Sequence, residues 1–192
     1  MKILFSQPLL TVIYLWCLSC STHTKSIKTF QSLNKDSVYI TSTRLLQSNK
    51  IPDSVFQIKN LKTLIVHGED CDYGGSNCWM IAEIPASIGN LTNLDTLRLT
   101  LGAFKKLPKE ISNLKNLRFL DLTDTYLSDI DNLISLKSLD QLLLYGCNLS
   151  KLPDNISELT HLRVLGLTGN NLDAQEINRI RKALPNCKVH FN

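Results

Sequence analysis

Three side chains able to bind metal or form a crosslink crowd one short stretch. They are His67, Cys71 and Cys78, in "HGEDCDYGGSNCWMIAE" at 67–83. Zinc would draw on all three, but a closed tetrahedral site needs a fourth ligand and none is evident. Calcium would draw on Asp70 and Asp72, with Gly75 at the sharp turn. Against it, Gly74 stands where a third ligand belongs, and Ile81 stands where such a loop carries its bidentate glutamate. A disulfide between Cys71 and Cys78 needs no further partner, and closing so short a loop stabilises by about 2–3 kcal/mol on chain-entropy grounds. The disulfide is the expected chemistry, with no metal and no cofactor.

A disulfide requires an oxidising compartment, and the first twenty residues supply a route to one. "MKILFSQPLLTVIYLWCLSC" has one cation at Lys2 and an apolar stretch to Leu18, and no acid appears before Asp36. This is the pattern of a secretory signal, expected over 1–19. Gln7 and Pro8 interrupt a run already short for a membrane span. Ser19 followed by Cys20 resembles the end of a bacterial lipoprotein signal, although Cys17 stands where that family carries leucine. The resemblance implies a lipid on Cys20, a tether over 20–36, and a place in the bacterial envelope (outer membrane or periplasm). Cleavage near Ser19 without lipidation would give a released form instead.

The rest of the composition excludes more than it suggests. Of 192 residues, 43% are hydrophobic and 20% charged, the balance of an ordinary folded chain. The formal net charge of +4 falls by one when Lys2 is removed, and the cations are dispersed, which argues against a nucleic-acid groove. His23, His67, His161 and His190 are scattered along the chain, with no G-x-S-x-G, phosphate loop or H-E-x-x-H near any of them. An enzyme is not expected. Cys147 and Cys187, a full coil apart in the arrangement derived next, are expected to stay reduced.

What positions these residues is a repeat. Five rows align: "IKNLKTLIV" from Ile58, "LTNLDTLRL" from Leu91, "LKNLRFLDL" from Leu114, "LKSLDQLLL" from Leu136 and "LTHLRVLGL" from Leu159. The last four begin 23, 22 and 23 residues apart, and three rows close on Ile84-Pro85, Leu107-Pro108 and Leu152-Pro153. Such fixed steps mean stacked units that bury apolar surface only against one another. The pattern resembles the leucine-rich repeat family, over 37–192. That resemblance implies an α/β solenoid with a curved parallel sheet on the concave side and turns with short helical segments on the convex side. The family's ladder asparagine is present only at Asn170; Thr43, Gly102, Thr125 and Cys147 hold the other places, which puts the rigidity of that ladder in question.

Alternation in the short strands sends Leu97 and Leu99 inward and Arg98 outward. The same parity puts Ile65, His67, Arg98, Phe119 and Asp121 on the concave face, together with Leu143, Tyr145 and Val164. Phe119, Leu143, Tyr145 and Val164 would form an apolar patch beside the Arg98–Asp121 pair, the composition of a binding hot spot. The rings of Phe119 and Tyr145 are expected to lie close together. At 173–192 a cap is expected: Asp173 with Glu176 as a capping box, a helix with Ile177, Ile180 and Leu184 on one face, and a final strand with Val189. At the other end, Val38, Ile40 and Leu45 are read as a degenerate first row. The expected function is capture of a protein or peptide partner on the concave face. The alternatives are a spacer role in an envelope assembly and a metal-dependent enzyme built on the 67–83 loop.

Overall fold

The computed structural model describes residues 30–31, 36–40, 49–68 and 80–191. The signal segment, Cys20, Thr43, Leu45 and the loop residues Asp70, Cys71, Asp72, Gly74, Gly75 and Cys78 lie outside the described residues.

Among the described residues, eight strands form one sheet in chain order. They are β1 (Phe30–Gln31), β2 (Ser37–Ile40), β3 (Thr63–His67), β4 (Thr96–Thr100), β5 (Phe119–Asp121), β6 (Gln141–Leu143), β7 (Val164–Gly166) and β8 (Lys188–His190). β2 to β8 run parallel, and β1 closes the N-terminal edge antiparallel to β2. The register stacks like on like: Leu64, Leu97, Leu120, Leu142 and Leu165 are successive partners. Each is at most 1% exposed, so the repeat leucines make one continuous core. Val38 and Ile40 extend that core into β2, as read from the sequence.

On the opposite side each coil returns through a 3-10 turn, at Asp53–Gln57, Ala86–Asn90, Lys109–Asn113, Asp131–Ser135 and Ile156–Glu158. Pro52, Pro85 and Pro108 stand immediately before three of these turns with φ between −59° and −74°. Proline suits that place because its ring fixes φ and it lacks an amide hydrogen that would otherwise go unpaired. Ile130 precedes a fourth turn in a different backbone conformation, at φ −120° and ψ 9°.

Coil-to-coil spacing is held by three polar ladders. Where the chain enters each strand, one carbonyl accepts two amides from the next coil: Lys62 O from Asp95 and Thr96, Asp95 O from Arg118 and Phe119, Arg118 O from Asp140 and Gln141. The side chains at these steps alternate in sign along Asp36, Lys62, Asp95, Arg118, Asp140 and Arg163, and the last two pair at 3.3 Å. Two residues earlier in each coil, Asn93, Asn116 and Ser138 donate to the carbonyls of Lys59, Thr92 and Lys115. His161 continues the series with Nδ1 at 3.1 Å from Lys137 O. It is exposed, as expected beside a turn, but it is tied to the coil behind it rather than free.

The third ladder answers the question raised by the substituted asparagines. Asn170 accepts the Leu149 amide and donates to Leu144 O and Leu167 O. One coil back, the Cys147 thiol donates to Leu122 O at 3.2 Å; two coils back, the Thr125 hydroxyl donates to the same carbonyl at 2.9 Å. A thiol and a hydroxyl thus carry part of the ladder. At Gly102 no side chain is available, and the Phe104 ring fills the space, 2.3 Å from where a Cβ would stand. The residue just before each of these places is left-handed: Leu101, Asp124, Gly146 and Gly169 have φ of 54°, 56°, 62° and 79°.

The C-terminal cap is a helix, α1 (Ala174–Ala183), followed by β8. Asp173 accepts the Glu176 amide at 2.7 Å, the N-cap bond expected of it. The reciprocal half of the expected capping box is replaced. Glu176 turns its carboxylate to the Leu152 amide of the previous coil at 2.8 Å, and Arg179 grips the same carboxylate from two nitrogens while donating to Leu152 O. Arg179 holds the Glu176 carboxyl below the usual carboxylate range. Ile180 and Leu184 face the core, and Ile177 is half-buried.

Candidate binding face

Strand parity puts the sequence-derived site residues on one face. The first row across the sheet is Thr63, Thr96, Phe119, Gln141, Val164 and Lys188; the second is Ile65, Arg98, Asp121, Leu143, Gly166 and His190. Lys188 and His190 belong to this face through β8. Sequence reasoning placed the final strand but did not follow its parity, although "KVH" alternates as clearly as the repeat strands.

The face is less exposed than alternation alone implies. Ile65, Phe119, Leu143, Tyr145 and Val164 are all half-buried, because inward curvature crowds their outer ends. Asp121 is corrected more sharply: it is buried, at 6% exposure. Its Oδ1 accepts from the Thr123 amide at 3.0 Å and from the Thr123 hydroxyl at 2.6 Å. Its Oδ2 lies 3.0 Å from Arg98 Nε. That nitrogen is enclosed and its N–H is not aimed at the oxygen, so the contact is an ion pair rather than a directed hydrogen bond. The Arg98 guanidinium carbon sits 5.4 Å from the centre of the Phe119 ring, a cation–π distance. With 42% of the Arg98 side chain exposed and Nε enclosed, the open part is the stem and the outer guanidinium nitrogens.

Phe119 and Tyr145 each lie against a different neighbour. Phe119 is occupied by Arg98 on β4, whereas Tyr145 leans the other way, over β7. A Cβ at Gly166 would stand 2.4 Å from Tyr145 Cζ, so the missing side chain of Gly166 is what lets the ring lie down. Leu143 is left between the two, flanked by Asp121 on β5 and Gly166 on β7. At the N-terminal end of the face, exposed His67 is fixed to Thr100 by a 2.6 Å contact between Nδ1 and the hydroxyl oxygen.

The two cysteines among the described residues are buried or half-buried. Cys147 and Cys187 are both free thiols. Burial raises the Cys147 thiol and pushes the Cys187 thiol up to about 11, so neither is an activated nucleophile. Among the described residues, no group of three His, Cys, Asp or Glu side chains is placed to hold a metal, and no helix is long and apolar enough to cross a membrane.

Solved structures of this shape come from bacteria and plants. The Leptospira interrogans LRR protein LIC12759 is 26% identical with a TM-score of 0.52, over 80% of this chain and 46% of that one. An internalin (inlF) of Listeria monocytogenes is 20% identical with a TM-score of 0.58, over 81% of this chain and 46% of its own. The plant peptide hormone receptor RGFR1, solved in complex with RGF2, is 29% identical with a TM-score of 0.53, over 74% of this chain and 23% of the receptor. The chain therefore spans about half the length of the first two proteins and a quarter of the third. No curated protein matches the sequence. This fold is typical of protein-interaction modules, whose members commonly bind proteins or peptides. The profile described as a leucine-rich repeat region matches residues 73–188, and the chain belongs to the leucine-rich repeat family.

Proposed function

We propose that the protein is an exported module that captures a protein or peptide on its concave face while a lipid on Cys20 tethers it to the bacterial envelope. The observation that carries the binding half is the preset cluster on β4–β7. Arg98 is held by Asp121 and Phe119, Tyr145 is laid over Gly166, and Leu143 stands half-open between them. Prearranged aromatic and arginine side chains bind with little ordering cost, which is how hot spots concentrate affinity. That RGFR1 was solved with a peptide hormone bound supports a peptide as the kind of partner.

The test begins with cross-linking in the native host and identification of the bound protein by mass spectrometry. Phe119→Ala with Tyr145→Ala should then weaken capture by at least about 2 kcal/mol, roughly thirtyfold. Lys109→Ala with Asn155→Ala on the convex side should leave capture unchanged. Binding that survives the concave pair and fails with the convex pair would move the site to the other face.

The tether rests on Ser19 and Cys20 at the end of the apolar segment. Several acyl chains on one cysteine anchor stably where a single chain does not. Native protein should partition with membranes, and Cys20→Ala should release it or leave it unprocessed. Wild-type protein found wholly in the soluble fraction would refute the anchor. The Cys71–Cys78 disulfide belongs to the same reading, since export would oxidise it. Non-reducing peptide mapping should recover both cysteines in one linked fragment.

A further inference from the structure

We infer that the partner segment is an extended hydrophobic peptide carrying two acidic side chains six residues apart, one for Arg98 and one for Lys188. The inference rests on the concave-face reading above and adds the chemistry of the occupant.

Charge on the face carries it. Among the outward strand positions from β4 to β8, Asp121 is the one carboxylate, and it is buried and engaged by Thr123 and Arg98. The cations there are open: Arg98 presents its outer guanidinium on β4, and Lys188 is exposed on β8 in the same row as Val164. Charges at the strand entries do not change this balance, because they alternate in sign from Asp36 to Arg163 and largely cancel. Between the two cations lie the apolar groups Phe119, Leu143, Tyr145 and Val164. The face therefore places a guanidinium, its charge shared with Asp121, near β4 and an exposed ammonium on β8, with apolar side chains between them.

Geometry sets the spacing. Four inter-strand steps separate β4 from β8, and at about 4.8 Å each they span roughly 19 Å. An extended peptide advances about 3.3 Å per residue, so roughly six residues cross that distance. Arg98 leans toward β5, where it meets both Asp121 and Phe119, and an even spacing of six keeps both acids on the side of the extended peptide that faces the sheet. An acid on Arg98 gains charge-assisted bonds from nitrogens already held in place.

Selection from a displayed random twelve-residue peptide library against the purified domain tests this directly. Enriched peptides should carry Asp or Glu pairs six residues apart around hydrophobic residues. Their synthetic forms should lose at least about tenfold in affinity with Lys188→Glu, and again with Arg98→Gln, and should weaken with added salt. Lys188→Glu is the decisive variant, since Arg98→Gln also leaves Asp121 unpaired. Enriched peptides that lack acids, yet lose binding with Leu143→Asp, would overturn the acidic assignment while leaving the concave reading intact. No enrichment, or peptides indifferent to Leu143→Asp, would overturn both.

Discussion

Asn170 and Cys147 occupy the same place in successive coils and donate to equivalent carbonyls of the coil behind, Asn170 to Leu144 O at 2.7 Å and Cys147 to Leu122 O at 3.2 Å. The amide does more than the thiol, since Asn170 also accepts the Leu149 amide and donates to Leu167 O. Removing it leaves a buried amide hydrogen and carbonyls without partners. Asn170→Ala should therefore cost about 2–4 kcal/mol in urea titrations, more than the about 1–2 kcal/mol expected of Cys147→Ala. Equal costs would mean that the thiol carries as much of the ladder as the amide.

Neighbouring residues on one strand should respond very differently to truncation. Leu142 is 1% exposed and belongs to the continuous core, so Leu142→Ala should cost about 2–5 kcal/mol. Leu143 faces the half-open concave side, and Leu143→Ala should cost about 1 kcal/mol. The midpoint shift in denaturant separates them; similar shifts would contradict the register Leu142↔Leu165.

The left-handed step of each coil predicts unequal outcomes at equivalent places. Gly146 has φ 62°, and a Cβ there would stand 2.2 Å from Asp124 Oδ1. Gly146→Ala should cost about 1–2 kcal/mol. Leu101 already bears that conformation with a side chain, at φ 54°. Leu101→Gly removes about 1–2 kcal/mol of strain, but it adds about 0.5–1 kcal/mol of unfolded-chain entropy and gives up the packing of a half-buried side chain, so it should be near neutral or mildly destabilising. Thermal melts of the pair give the signs.

The cap should make stability sensitive to acid. Because Arg179 depresses the Glu176 carboxyl below its ordinary 4.5, this pair stabilises the fold fully above that pH. The contribution is lost as pH falls through the lower, folded-state value. Glu176→Gln keeps an acceptor for the Leu152 amide but abolishes the titration. Its stability should fall short of wild type at pH 7, and the gap should close as pH falls through the lowered folded-state value of Glu176. A constant gap between the two across that range would remove Glu176 as the titrating group.

The repeat, the inward leucines and the outward strand positions follow from the sequence because each coil is short and regular: alternation fixes parity, and parity fixes the face. Leu64, Leu97, Leu120, Leu142 and Leu165 could be aligned before any coordinates existed, since a slip of one residue would expose every one of them. Side-chain direction within the face was not legible in that way. That Tyr145 lies over Gly166 while Arg98 lies over Phe119 depends on which neighbouring strand offers bare backbone or a ring, and those partners are a full coil away in the chain. The burial of Asp121 and the turn of Glu176 toward Leu152 have the same origin. A carboxylate goes where donors converge, and here the donors are brought together only when the coils stack.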